Sequence, residues 1–361
     1  MENHARLRSF AATKNRIAMT PRRGRSYTFT YPSFFSRFGL RVSAVTTVAF
    51  LHLPAFFSAC SIPPDTTHPD TKAQIYILRT EKTNLWNLDL FFFEDDSLAR
   101  LDSYQHLAEA NPRQVDGISC NGPKRIVALS GFPDDIYAWS DIRTYGSLAR
   151  RAFCLEKENP GNPLLYGEGR VAAGITRAVT IVLQPVLAEV RIRSLACDFS
   201  DRPYAGAALE HPRLYLTNVS RECHPLTAGE VPFSWLNTGR LDEAATAALP
   251  VPEMVLQELE TGIGATRLHP DIRLYAYPNP VVEEMFGHPF TRLVIEGSIG
   301  GTTYYYPINL ARLEGNTSLA LDITLTRTGS LDPDIPVSSG TVLLETDTVP
   351  WEQRPAATVT F

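Results

Sequence analysis

From residue 73 onward, apolar and polar positions alternate in steps of two. Ala73-Gln-Ile-Tyr-Ile-Leu78 places Ala73, Ile75 and Ile77 on one face. Asn87–Phe93 and Arg125–Leu129 repeat the pattern, as do Ala178–Leu183, Ala188–Leu195 and Arg213–Val219. Each run is short, rich in β-branched or aromatic residues and bounded by Pro, Gly, Asp or Asn, which predicts strands. Trp139–Ala152 instead reads as a short helix with Ser140 as N-cap, weakened by Gly146. Between residues 224 and 268 only Asp242–Ala248 looks helical, and the rest reads as loop. Strands resume at Asp271–Tyr277. Thr291–Glu296 and Thr302–Leu310 flank Gly297-Ser-Ile-Gly-Gly301, a strong hairpin signal. Leu319–Thr326, Thr341–Glu345 and Ala357–Phe361 complete the set.

This is an all-β pattern, with two successive blocks, 73–222 and 223–361, suggesting β-sandwiches in series. The length of 361 residues suits two domains of ordinary size. Pro outnumbers Gly, 27 to 22, which favours strand ends and turns over long helices.

The first 59 residues differ from the rest. Residues 1–41 are basic and without apolar periodicity. Val42–Phe57 is then an apolar run too short for a comfortable membrane span, and Ser58-Ala59-Cys60 follows. Basic, then apolar, then small-small-Cys resembles a bacterial lipobox. Residues 1–59 are therefore expected to be a signal peptide, with an effective start at Met19, and Cys60 the lipidated residue. Phe57 stands where Leu is usual. Residues 60–72, polar and Pro-rich, would form a tether. Two or three acyl chains hold a protein on a membrane firmly.

Charge narrows the partners. Residues 1–59 carry nine basic groups and one acid, Glu2, so removing them leaves 25 basic and 38 acidic residues, a net −13 against −5 for the whole chain. Nucleic acid is not an expected partner for so acidic a protein. Membrane attachment should come through lipid on Cys60. Four further cysteines, Cys120, Cys154, Cys197 and Cys223, allow three disulfide pairings, with free thiols equally compatible.

No catalytic constellation stands out. The chain lacks a nucleophile elbow, a zinc-protease helix motif, a P-loop and a dinucleotide fingerprint. No cofactor, metal or catalytic residue is expected. Glu94-Asp95-Asp96, Asp134-Asp135 and Asp332-Pro-Asp334 read as acidic turns. Tyr304-Tyr-Tyr306 offers a sugar-stacking platform, but alternation puts Tyr304 and Tyr306 on one face and Tyr305 on the other, so core plus surface fits better.

The run from Leu88 to Gln105, a Leu-Asp-Leu-Phe-Phe-Phe strand, an acidic turn, then Leu101-Asp-Ser-Tyr-Gln105, resembles the fimbrillin-associated anchor and minor-subunit family of Bacteroidetes. The likeness continues at Ile126–Leu129, Thr144–Leu148, Asp198-Phe-x-x-x-x-Tyr204-x-Gly206 and Tyr215–Val219. It extends through Phe290–Gly297, Tyr304–Ile308 and Ile323–Asp334. Each match is short; their order and spacing cover nearly all of residues 73–361.

That resemblance implies two transthyretin-like β-sandwiches in series in an outer-membrane lipoprotein of the type V pilus. The expected role is an anchoring or minor structural subunit, joined to other fimbrial subunits by strand complementation, with a host surface ligand possible. Stalk-type relatives lose lipid and first strand by cleavage after an Arg. Arg79 is the matching position, although it also reads as an ordinary strand-end charge. Ser61–Pro64 precede Asp65 where a surface-export signal would carry acids at once, so outer-membrane attachment is better supported than surface exposure. The alternative expectation is a glycan-binding outer-membrane surface lipoprotein using exposed aromatics.

Overall fold

The computed structural model describes residues 71–79, 87–108, 114–120, 122–131, 139–172, 178–227, 229–239, 241–337 and 341–350. Cys60, Asp134, Asp135 and the strand expected at Ala357–Phe361 lie outside them.

The first part of the chain runs β1 (Thr71–Arg79), β2 (Leu88–Glu94), β3 (Leu101–Leu107), β4 (Gln114–Cys120) and β5 (Lys124–Ser130). Helix α1 (Tyr145–Ala149), β6 (Phe153–Cys154), β7 (Leu165–Val171) and β8 (Ala178–Pro185) follow. Seven of these strands pair in the order β3-β2-β5-β7-β8-β1-β4. Between β7 and β8 only Leu165–Pro185 and Tyr166–Gln184 are paired. Beyond them the sheet folds over, and Gly167 and Gly169 lie against Ile181 and its neighbours. The result is a sandwich of β3-β2-β5-β7 over β8-β1-β4. Its filling is Ile75, Ile77, Leu88, Leu90, Phe92, Ile126, Ala128, Leu165, Val171, Ile181 and Leu183.

Because side chains alternate across a strand, β2 and β5 send their other residues to the opposite face. Phe91, Phe93, Val127 and Leu129 are buried there against Ile142, Leu148 and Phe153, from the segment carrying α1. The cap of α1 is Thr144, whose side chain accepts from the Ser147 amide while Ser147 bonds back to the Thr144 amide. Such a reciprocal box satisfies two amides that a helix start leaves open. Ser140, the expected cap, sits instead in the turn closed by Ile142 N–H to Trp139 C=O.

The second part begins with β9 (Ala188–Cys197), β10 (Glu210–Thr217) and the two-residue strands β11 (Val219–Ser220), β12 (Glu222–Cys223) and β13 (Trp235–Leu236). Helices α2 (Glu243–Ala247) and α3 (Pro252–Val255) precede β14 (Leu256–Glu258) and β15 (Ile272–Ala276). The chain then runs through β16 (Thr291–Ile299), β17 (Thr302–Leu310), β18 (Thr317–Leu325) and β19 (Val342–Pro350). Two four-stranded sheets result, β14-β10-β16-β17 and β15-β9-β18-β19. Leu214, Leu216, Leu293 and Ile295 of one share a core with Val190, Ile192, Leu321 and Ile323 of the other. The expected hairpin forms, but its strand continues through Gly297 to Ile299, leaving Gly300 and Gly301 as a two-residue turn with φ of +58° and +79°. Positive φ at both positions is what a type I′ turn demands.

The all-β expectation holds, and each part is a sandwich. Strands β9 and β10 precede residue 222 yet pair only with strands that follow it, so the sheets change partners between Pro185 and Ala188. The connection there is only Val186 and Leu187, whereas the loops around residue 222 are longer and imitate a linker.

Candidate strand-exchange site

Strand β1 is inserted between two strands that are distant from it in sequence. Its neighbour on one side is β4, antiparallel, and on the other β8, parallel, with Gln74 to Arg79 in register against Ala178 to Leu183. Ile75 and Ile77 are 0% and 3% exposed. Burying two such side chains contributes roughly 3–6 kcal/mol. The parallel pairing matters because a first strand that runs beside the last strand of its sandwich is an insertion, with no hairpin to either partner. Its removal would leave β4 and β8 with unpaired backbone facing an apolar trough floored by Leu183, Ile181 and Leu90.

Arg79 is the last residue of β1, opposite Leu183. A cut after it would free the whole strand. Cys60, the expected lipid site, lies eleven residues before Thr71. Neither position could have been tied to the trough from sequence, since the partners of β1 come from residues 114–120 and 178–185.

Strand β19 ends its sheet. It pairs with β18 alone among the described residues, and Leu343 to Val349 are exposed. Leu343, Leu344, Ile308 and Pro307 line a groove of about 550 Å3 between β19 and β17.

The aromatic row does not make a sugar platform. Tyr306 is 0% exposed, and its hydroxyl donates to the Arg327 carbonyl. Tyr305 is buried on the opposite face with Tyr215, Val294 and Leu241, because α2 covers that side of the sheet. Core on both faces replaces the expected core plus surface. The acidic turns are local devices: Asp96 accepts from the amides of Leu98 and Ala99, and Asp332 from that of Asp334. Of the cysteines, Cys197 and Cys223 are free thiols. Cys154 stands opposite Glu222, one register position from Cys223, so the two thiols point to opposite faces of the β6–β12 ribbon.

Compared by sequence, the chain matches no protein-family model and no curated protein. Compared by structure, it is similar over 78% of its length to a candidate cell adhesion protein from Bacteroides eggerthii, with a TM-score of 0.56, 14% identity and 96% of that chain covered. A candidate cell adhesion protein from Parabacteroides distasonis gives 0.53 and 13%, with 78% of this chain and 96% of that one covered. A fimbrilin from Porphyromonas gingivalis gives 0.53 and 10%, with 78% and 98% covered. The fold is that of the fimbrilins. Identities this low establish architecture and leave function to the site itself.

Proposed function

We propose that the protein is a non-enzymatic structural subunit of a bacterial fimbrium, an anchoring or minor subunit held at the outer membrane by lipid on Cys60. Subunits join by β-strand complementation, in which an extended segment of one chain completes the sheet of another through backbone bonds and alternate side chains. The observation that carries this reading is β1, an inserted strand with Ile75 and Ile77 in the core, bounded by Arg79. The fimbrilin fold and the ordered family-like segments support it. Two sandwiches in series suit a fibre, because each offers a separate edge.

Mass spectrometry of the native amino terminus tests the reading. An acylated Cys60 is the expected start of an anchor. A start at Thr80 would replace the anchor by a stalk subunit delivered and then cleaved. The protein should co-purify with a polymeric fimbrial partner. Recovery only as a free monomer, with fibres unchanged on its deletion, would overturn the fimbrial role.

A further inference from the structure

Where the first sandwich hands over to the second, the surface holds a cleft of about 480 Å3 that the strand-exchange reading does not use. Its walls come from five separate stretches: Tyr166 of β7, the end of β8, the loop around β12 and β13, the loop after β15 and the loop before β18. Val186, Val231, Pro232, Phe233, Pro278 and Pro280 make it apolar. Phe233 is 88% exposed, and a large aromatic ring left in water at the mouth of a cleft is characteristic of an interaction surface.

The rim is mainly acidic. Glu222, Glu230 and Glu314 stand around the cleft against a single guanidinium, Arg312, which is already paired with Glu314 at 2.8 Å. Three carboxylates against one cation leave a net −2 around an apolar floor. This excess repels a second copy of so acidic a chain and attracts a cationic partner.

We propose that this cleft docks an extended peptide segment of a protein partner, one that presents an apolar side chain flanked by Lys or Arg. The apolar residue packs on Phe233 and the prolines, and the flanking cations meet Glu222 and Glu230. The inference is independent of the fimbrial role, because it rests on none of β1, Arg79 or Cys60.

Random heptapeptides displayed on phage, panned on the immobilised full chain, test it. Enriched peptides should carry an apolar residue between basic ones and weaken with added salt. Their affinity should fall about tenfold on the Glu222→Gln/Glu230→Gln protein, as expected for two partly exposed charge contacts. The Glu222→Lys/Glu230→Lys protein should select acidic flanks instead. Phe233→Ser, at a position too exposed to disturb the core, should abolish enrichment. Peptides of unrelated pattern, or equal enrichment on Phe233→Ser, would overturn the proposal. So would a dimer in sedimentation velocity that Phe233→Ser dissolves, since it would put a second copy in the cleft.

Discussion

The Tyr277 hydroxyl donates to Glu158 at 2.8 Å, joining residues 119 positions apart across the seam between the two sandwiches. Glu158 also accepts from the Leu164 amide at 3.1 Å. Burial outweighs these bonds and pushes the Glu158 carboxyl up to about 7 from 4.5. The folded state therefore holds a proton that the unfolded chain releases earlier. This contribution is fully present below about pH 4.5 and is lost as pH rises to about 7, above which the loss levels off. The shift corresponds to about 3 kcal/mol. Urea unfolding at pH 5 and pH 8 should show a drop of that order, and Glu158→Gln, which keeps an acceptor for Tyr277, should remove most of it. An identical pH dependence in the variant would show that Glu158 is not the titrating group.

Two glycines set how closely the first sandwich closes. A Cβ on Gly167 would lie 2.5 Å from the Val182 carbonyl oxygen, and one on Gly169 would lie 2.9 Å from side-chain carbons of Ile181 and Val179. The first clash is with backbone, which cannot swing away. Gly167→Ala should therefore cost more than Gly169→Ala, about 3 kcal/mol against about 1–2. Thermal melts of the two variants would check the order, and equal losses would argue against the backbone clash.

These glycines also explain what the sequence concealed. Strands β2, β5, β16 and β18 are legible because Phe, Val, Ile and Leu fill positions buried on one or both faces. Strand β7 reads Leu-Tyr-Gly-Glu-Gly-Arg-Val, and two glycines in seven residues look like a turn until β8 is seen pressing on them. Strand β3 alternates between half-buried and exposed at an edge, so Asp102, Ser103, Gln105 and His106 dilute its pattern. Helix α2 was legible as the helical stretch Asp242–Ala248, and Asp242 caps it through a purely local bond from the Ala245 amide. Local chemistry left no trace of the cleft, whose walls lie up to 150 residues apart and read singly as proline-rich loops.

Glu168 gathers the groups that hold the α1 segment to the sheet. It accepts from Arg125 through Nε and Nη2 at 3.0 and 2.8 Å, from the Tyr145 hydroxyl at 2.7 Å and from the Tyr166 hydroxyl. The Arg125 guanidinium also lies 3.5 Å from the centre of the Tyr145 ring. Removing the carboxylate strands a half-buried cation and two hydroxyls together. Glu168→Ala should lose about 2–3 kcal/mol, while Glu168→Gln, which keeps acceptor oxygen, should lose less. Faster amide exchange in Tyr145–Ala149 of the Ala variant would locate the damage. Exchange unchanged there would mean that α1 is held by Leu148 and its apolar contacts alone.

The strongest consequence concerns β1 itself. Ile75→Ala and Ile77→Ala should each cost about 2–4 kcal/mol, the usual penalty for an unfilled core position. A chain beginning at Thr80 loses both side chains and the backbone bonds on two neighbours. It should bind a hydrophobic dye that the intact protein ignores, and its melting temperature should fall by at least about 10 °C. A synthetic peptide of residues 71–79 added to it should restore the melt and displace the dye, since β1 is held by register and packing and by no hairpin. A peptide with Ile75 and Ile77 both replaced by Asp should do neither, because its backbone could still pair but its buried face could not. If the shortened chain is as stable as the intact one, or if both peptides act alike, then β1 is no exchangeable strand and the proposed mode of assembly fails.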